Sequence, residues 1–190
     1  MRIIGGKFKG KKLLLPIDKK TRPLKDLVKE SIFNLIENSN KYKIFIQNSA
    51  VLDLFSGSGS FGLECISRGV EKIVFSENYP SAIKILKRNI SKINGDKFSK
   101  IIEKNCFDLI SSNVLSNQSF DIIFLDPPFN KDFETKILNQ LFKKKDLKPS
   151  CKIYLEYSKY NDIEIPKEFI VLKEKDVGDV KALLLIKDES

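Results

Sequence analysis

Apolar positions recur along this chain with two periods. Val51-Leu52-Asp53-Leu54-Phe55, Lys72–Ser76, Ile101-Ile102-Glu103, Phe120–Leu125 and Lys152–Tyr157 are short runs rich in β-branched, aromatic and Leu residues. They are near-continuous rather than alternating, as strands of a parallel sheet covered on both faces must be. Between them lie segments with apolar residues at helical spacing: Phe61–Ser67, Pro80–Ser91, residues 106–115 and Phe133–Lys143. Arg68-Gly69 closes the first of these in the manner of a C-cap. Pro80 opens the second, where a missing N–H costs nothing. Two last runs, Phe169–Glu174 and Ala182–Lys187, flank Val177-Gly178-Asp179 and predict a hairpin. Strands alternating with helices and closed by a hairpin predict an α/β fold, with a mostly parallel sheet and helices on both faces.

Ahead of this pattern, residues 1–20 place Gly5, Gly6, Gly10 and Pro16 among short apolar pieces. That suits a small β-hairpin or irregular arm. Arg22-Pro23 is a break. Lys25 to Glu37 then carries Leu27, Val28, Ile32, Phe33, Leu35 and Ile36 with charges between them, an amphipathic helix that should dock on the main domain. Lys41 to Ser49 connects. The expected organisation is a basic extension over residues 1–49 and the α/β domain over 50–190.

Charge sharpens the picture of that extension. Of a net charge of +9, residues 1–30 carry ten Lys/Arg against three acids, a net of +7; the other 160 residues hold 24 basic and 22 acidic side chains. Such a concentration fits a face that contacts a polyanion, because neutralising phosphates and releasing their counterions dominates nucleic-acid affinity. Arg2, Lys7, Lys9, Lys11 and Arg22 are the candidates. The length and a hydrophobic share of 42% suit one domain with an extension. No apolar run reaches a membrane span, and Met1–Gly6 does not read as a signal peptide. Cys65, Cys106 and Cys151 are scattered and odd in number, which fits a reducing cytoplasm and argues against a disulfide framework or a zinc site. With no histidine, Ser-His-Asp, Cys-His and imidazole-metal chemistry are excluded.

Two motifs carry chemistry. Gly57-Ser58-Gly59-Ser60-Phe61-Gly62 is a GxGxxG between a strand and a helix, and Glu77 follows at the end of the next strand, placed to accept from a ribose diol. This context calls for a nucleoside-containing cofactor, NAD or S-adenosylmethionine. Asp53, just before the glycines, would repel a pyrophosphate and favour the cationic amino group of a methionine. The second motif, Asp126-Pro127-Pro128-Phe129, ends the strand Phe120–Leu125. Two prolines make a stiff turn with exposed carbonyls and hold Asp126 and Phe129 at a strand's carboxyl end, where ligands bind in open α/β sheets.

Val51–Gly59 resembles the first motif of class I methyltransferases, and Asp126–Phe129 the fourth motif of those that methylate exocyclic amines of bases. Further stretches narrow the match: Arg2-Ile3-Ile4-Gly5-Gly6, Arg22-Pro23, Glu30-Ser31-Ile32-Phe33-Asn34 and Leu63–Gly69. Together they are similar to the bacterial 16S rRNA guanine-N2 methyltransferase (RsmD-like) family, from the N-terminus to Val177-Gly178-Asp179-Val180. Leu24 departs from it, since the family usually has Thr after Arg-Pro. The resemblance implies a Rossmann-like class I methyltransferase fold with a seven-stranded sheet. It implies that Asp53, Phe55 and the Gly57–Gly59 backbone face the methionine part of S-adenosylmethionine and Glu77 its ribose. Asn105 would meet the adenine amine, with Cys106 contributing backbone. Asp126 and Pro127 would grip the target amine, with Asp126 also bordering the cofactor, and Phe129 would stack on the base. The implied partner is 16S rRNA, within a small subunit or its assembly intermediate, and a cytoplasmic monomer is expected. An amine methyltransferase acting on DNA adenine or a different RNA, a non-catalytic nucleic-acid-binding module and an NAD-binding protein are the alternatives.

Overall fold

The computed structural model describes residues 1–15, 26–37, 45–116, 118–128, 133–144, 147–148 and 150–188. Seven strands form one sheet: β1 (Ala50–Asp53), β2 (Lys72–Ser76), β3 (Ser99–Ile102), β4 (Ile122–Leu125), β5 (Lys152–Ser158), β6 (Phe169–Val177) and β7 (Val180–Lys187). Their order is β3-β2-β1-β4-β5-β7-β6. The first five are parallel to one another; β7 runs antiparallel to both β5 and β6, inserted between them by the tight turn at Gly178-Asp179. The chain leaves β1 first toward β2 and β3, then returns to lay β4 on β1's other side. The order therefore reverses between β1 and β4, and the loops beyond their carboxyl ends diverge and open a crevice.

Among the described residues, five α-helices cover the sheet: α1 (Asp26–Glu37), α2 (Ser60–Ser67), α3 (Pro80–Lys92), α4 (Cys106–Ser111) and α5 (Phe133–Phe142). Because side chains alternate across a strand, each strand feeds two cores. Val51, Phe75, Ile122, Phe124, Tyr154 and Leu184 point to one face, packed against α1, α2, α3 and the arm through residues such as Ile3, Ile36 and Leu86. Leu52, Val74, Ile123, Leu125, Ile153 and Leu185 point to the other, against Leu109 of α4 and Ile137, Leu138 and Leu141 of α5. On the first face a column of near-parallel rings runs from α1 across the sheet. Phe33–Phe61, Phe61–Phe124 and Phe124–Tyr154 have centroid separations of 5.4, 3.8 and 5.1 Å.

The expected α/β class, the sheet and the hairpin are as read from the pattern, with local differences. The helix expected over 106–115 breaks at Ser112, whose backbone is extended and whose Oγ accepts the Val114 N–H to start a separate 3-10 turn, Asn113–Leu115. β1 ends at Asp53, so Leu54 and Phe55 already belong to the loop. Phe120 and Asp121 precede β4, and the Asp121 carboxylate accepts the Ala50 N–H at 2.8 Å. The Arg22-Pro23 break and residues 41–44 of the Lys41–Ser49 connector lie outside the described residues.

The arm folds back on itself at Arg2 and Lys12, and Ile3 N–H donates to Lys11 C=O at 3.0 Å. It docks on the end of α2: Lys7 N–H donates to Ser67 C=O at 2.7 Å, Ser67 Oγ donates to Gly5 C=O, and Ile4 N–H donates to the Glu64 carboxylate. A Cβ at Gly6 would sit 2.0 Å from the Ser67 carbonyl oxygen, so only glycine lets the two backbones meet. Among the described residues, no helix is long and apolar enough to cross a membrane.

Candidate active site

The crevice between β1 and β4 holds a cleft of about 720 Å³. Its floor is the glycine loop. Gly57 and Gly59 have φ of +52° and +89°, the left-handed region that side chains rarely adopt. A Cβ on Gly59 would also lie 2.5 Å from Leu86 Cδ1 of α3. Gly62 serves differently. It lets α2 settle on β2, where a Cβ would meet the Phe75 ring at 2.1 Å.

Glu77 holds this loop through its backbone. One carboxylate oxygen accepts the Gly57 N–H at 2.7 Å; the other accepts the N–H groups of Asn78 and Tyr79 at the start of α3. A carboxylate has about four acceptor sites, so these three bonds leave capacity toward the cleft.

Asp53 ends β1 at 1% exposure, and its Oδ1 has no hydrogen-bond partner. Its carboxyl is pushed up from 3.8 to about 8, chiefly by burial and then by the nearby charges of Asp126 and Glu77, with the Phe55 N–H and the Ser56 hydroxyl opposing the rise. Ser60 Oγ, also lining the cleft, is the second buried polar atom there without a partner. An acid that is buried, crowded by two other acids and incompletely bonded is built for a cationic ligand with N–H donors.

At the far end, Asn105 caps α4. Its Oδ1 accepts the Asp108 N–H at 2.9 Å and its amide nitrogen donates to the Asp108 carboxylate. Both residues line the cleft. Cys106 lies beside them with its thiol pushed up to about 12 by burial. Phe55, Phe133 and Phe107 form an aromatic cluster, with centroids 6.5 and 5.0 Å apart. Asp126, Pro127 and Pro128 line the opposite wall. Phe129 lies outside the described residues, as does Arg22 of the arm. Of the arm's other candidates, Lys7 and Lys9 are exposed and Lys11 half-buried; Lys7 and Lys11 flank the Phe8 ring, their ammonium groups 5.7 and 5.6 Å from its centroid. Arg2 is exposed but paired with Asp26 at 2.8 Å.

Three groups escaped the sequence reading. Asn89 on α3 is fully buried. Its Oδ1 accepts the Leu14 N–H at 2.8 Å, and its amide nitrogen donates to Leu14 C=O and Ser58 C=O, each at 3.0 Å. One side chain thus ties the arm to the glycine loop. Lys29, counted within the arm's positive charge, is also fully buried; it donates to Arg2 C=O and lies 3.8 Å from Glu64, which also pairs with Arg68. Burial pushes its ammonium pKa down, against the pull of Glu64. The signal was present: Asn89 and Lys29 both sit on the apolar stripe of an amphipathic helix. Asp108 is the third, marked only by its place after Asn105.

The family model described as Conserved hypothetical protein 95 matches residues 1–186. Ribosomal RNA small subunit methyltransferase D of Haemophilus influenzae is 34% identical over 182 residues, 95% of this chain and 90% of the relative. The chain belongs to the small-subunit rRNA methyltransferase D family. The solved structure of the HI0767 protein from Haemophilus influenzae is 31% identical, with a TM-score of 0.79 over all of this chain and 99% of that one. The fold is that of a Rossmann-like class I methyltransferase. An RNA methyltransferase from Salinibacter ruber, solved with S-adenosyl-L-homocysteine, shares the fold at 14% identity and a TM-score of 0.65, over 89% of this chain and 96% of that one. In this member of the methyltransferase D family, the glycine loop, Asp53 and the Asp126-Pro127-Pro128 turn converge on one cleft.

Proposed function

We propose that this protein transfers a methyl group from S-adenosylmethionine to the exocyclic N2 amine of a guanine in the RNA of the small ribosomal subunit. The observation that carries the reading is the Asp53 carboxylate, buried and short of a donor, a few residues from the glycine loop and facing the charge of Asp126. The rRNA methyltransferase activity of the relatives and the basic arm support the RNA; the choice of guanine N2 rests on the family resemblance.

When bound, S-adenosylmethionine supplies an electrophilic methyl group. The chain's residues would hold it at four points. Asp53 accepts from the methionine ammonium, directly or through water. The Gly57–Gly59 backbone and Phe55 border the same part. Glu77 would accept from the ribose at its remaining acceptor site, and Asn105 with Asp108 would meet the adenine amine.

The amine of guanine is a poor nucleophile, because its lone pair is delocalised into the ring. The Asp126 carboxylate and the Pro127 carbonyl each accept one of its N–H groups. This fixes the nitrogen, favours tetrahedral geometry and frees the lone pair for in-line attack. Such positioning is the main source of rate, for which up to about 7–11 kcal/mol is available. The amine lone pair would form the new N–C bond, while the C–S bonding pair would stay with the sulfur as a neutral thioether. The cationic nitrogen then loses a proton, for which Asp126 is the adjacent acceptor. The base must be unstacked to reach this turn, and the family resemblance supports a stacking role for Phe129.

Mass mapping of methylated nucleotides in 16S rRNA from cells lacking the protein tests the reading. One N2-methylguanine should disappear and return with the purified enzyme and S-adenosylmethionine. Unchanged rRNA with a loss of methyladenine from DNA would replace guanine N2 by another amine. In thermal shift, S-adenosylmethionine but not NAD should raise the melting temperature.

A further inference from the structure

The cleft occupies one half of the sheet's carboxyl edge, beyond β1, β2 and β3, and reaches Asp126 at the end of β4. The other half is formed by the end of β5 and the β6–β7 turn. Leu125 pairs with Leu155, so β5 runs on past the level of Asp126 to Ser158, about 7 Å of extra strand. There the chain turns, and Tyr160 stands at 75% exposure. Tyr154 and Tyr157 on the same segment are buried.

An exposed ring is ordinarily free to swing. This one is fixed. Its hydroxyl bonds to Asp179 Oδ1 at 3.0 Å. The Lys159 ammonium lies 5.2 Å from its centroid and donates to Gly178 C=O at 2.9 Å. Lys159 N–H donates to Asp179 C=O at 3.0 Å, and its ammonium pairs with the Asp179 carboxylate at 3.6 Å. The β5–β6 loop and the hairpin turn are therefore laced together around one aromatic ring, and the local acid is matched by the local base.

We propose that Tyr160 is a stacking platform for a nucleotide flanking the target base; this rests on the RNA function proposed for the chain. A target base swung into the Asp126 turn leaves its neighbour without a stacking partner. An aromatic face already held in place supplies one at little ordering cost. With Asp179 and Lys159 neutralising each other, the platform binds through the base's face rather than its phosphate.

Full-length Tyr160→Ala, Tyr160→Phe and Tyr160→Trp are compared in methyl transfer to protein-free 16S rRNA and to small subunits from cells lacking the enzyme. Tyr160→Ala should lower kcat/KM roughly 10-fold through KM, while Phe and Trp stay within about threefold of wild type. S-adenosylmethionine affinity and the slope of log affinity against log salt should not move. Wild-type kcat/KM in Tyr160→Ala overturns the platform, as does an equal loss in Tyr160→Phe, a fall in cofactor affinity, or a shallower salt slope. The chain has no Trp, so Tyr160→Trp also reports stacking through its own emission, which rRNA should quench. Should wild type methylate no rRNA, the functional reading fails on its own. The quench then still decides the platform: present, it supports stacking; absent, it overturns it.

Discussion

The glycine loop and the N-terminal arm share the Asn89 amide, yet they are built on opposite electrostatic plans. Around the loop, Asp53, Asp126 and Glu77 crowd a buried crevice, and Asp53 is held partly protonated near neutral pH. Along the arm, Lys7, Lys9 and Lys12 stand in solvent, and Lys29, fully buried, is sequestered in packing with Glu64. Buried charges are weakly screened and titrate; exposed lysines are strongly screened and stay charged. Binding at the loop should therefore follow pH and ignore salt, and binding along the arm should follow salt and ignore pH.

Asp126→Ala tests the acidic region most severely. Methyl transfer, followed with labelled cofactor, should fall about 10²–10⁴-fold. Cofactor binding should survive, with its pH dependence displaced downward, since the charge of Asp126 helps hold Asp53 protonated. Wild-type turnover would remove Asp126 from the mechanism.

Asp53→Asn comes next. Losing a charge-assisted bond should weaken S-adenosylmethionine about 10- to 100-fold by calorimetry at pH 9. In wild type the affinity should climb as pH rises through about 8, where Asp53 ionises; the variant should be flat. The sign is reversed for the cofactor-free protein. A carboxyl raised from 3.8 to about 8 contributes stability that is full below 3.8 and lost as pH rises through 8. The cofactor-free melting temperature should fall over that window more in wild type than in Asp53→Asn.

Asn89→Ala asks whether the two regions are joined. It strands Leu14 N–H, Leu14 C=O and Ser58 C=O, at a cost of about 1–3 kcal/mol in urea. Hydrogen exchange should quicken both at Leu14 and around Ser58. Quickening on one side only would mean that the amide supports a single region.

The smallest effect is expected from the arm. Replacing Lys7, Lys9 and Lys11 by Ala should flatten log affinity against log salt by roughly 0.7 for each single-strand phosphate no longer neutralised. A slope that changes with pH, or does not change with these lysines, would erase the contrast between loop and arm.

Much of this was legible in the chain. The strands announced themselves because a sheet covered on both faces needs unbroken apolar runs, and Ile122–Leu125 is as apolar inside as it reads. Glu77 was found by its spacing from Gly57, although its observed bonds go to backbone. Less legible were residues whose importance comes from distant partners. Asn89 meets residues 75 and 31 positions away. Lys29 reads as one more basic residue of the arm until its helix is laid against α2. Ser112 shows why the segment 106–115 misled: a hydroxyl that caps a new turn looks, in a string of letters, like any polar residue on a helix's outer face.

The margin strand β6 has a consequence of another kind. A nine-residue strand at the end of a sheet offers its backbone to any passing chain, and Ile170 and Val171 are both exposed at its start. A register shift between Val171 and Lys173 interrupts the strand just there, and Lys173, Glu174, Lys175 and Asp176 follow. The irregularity and the alternating charges deny a second molecule a flat, apolar edge to extend. The hairpin that carries the Tyr160 tether thus also disfavours edge-to-edge pairing at this margin of the sheet.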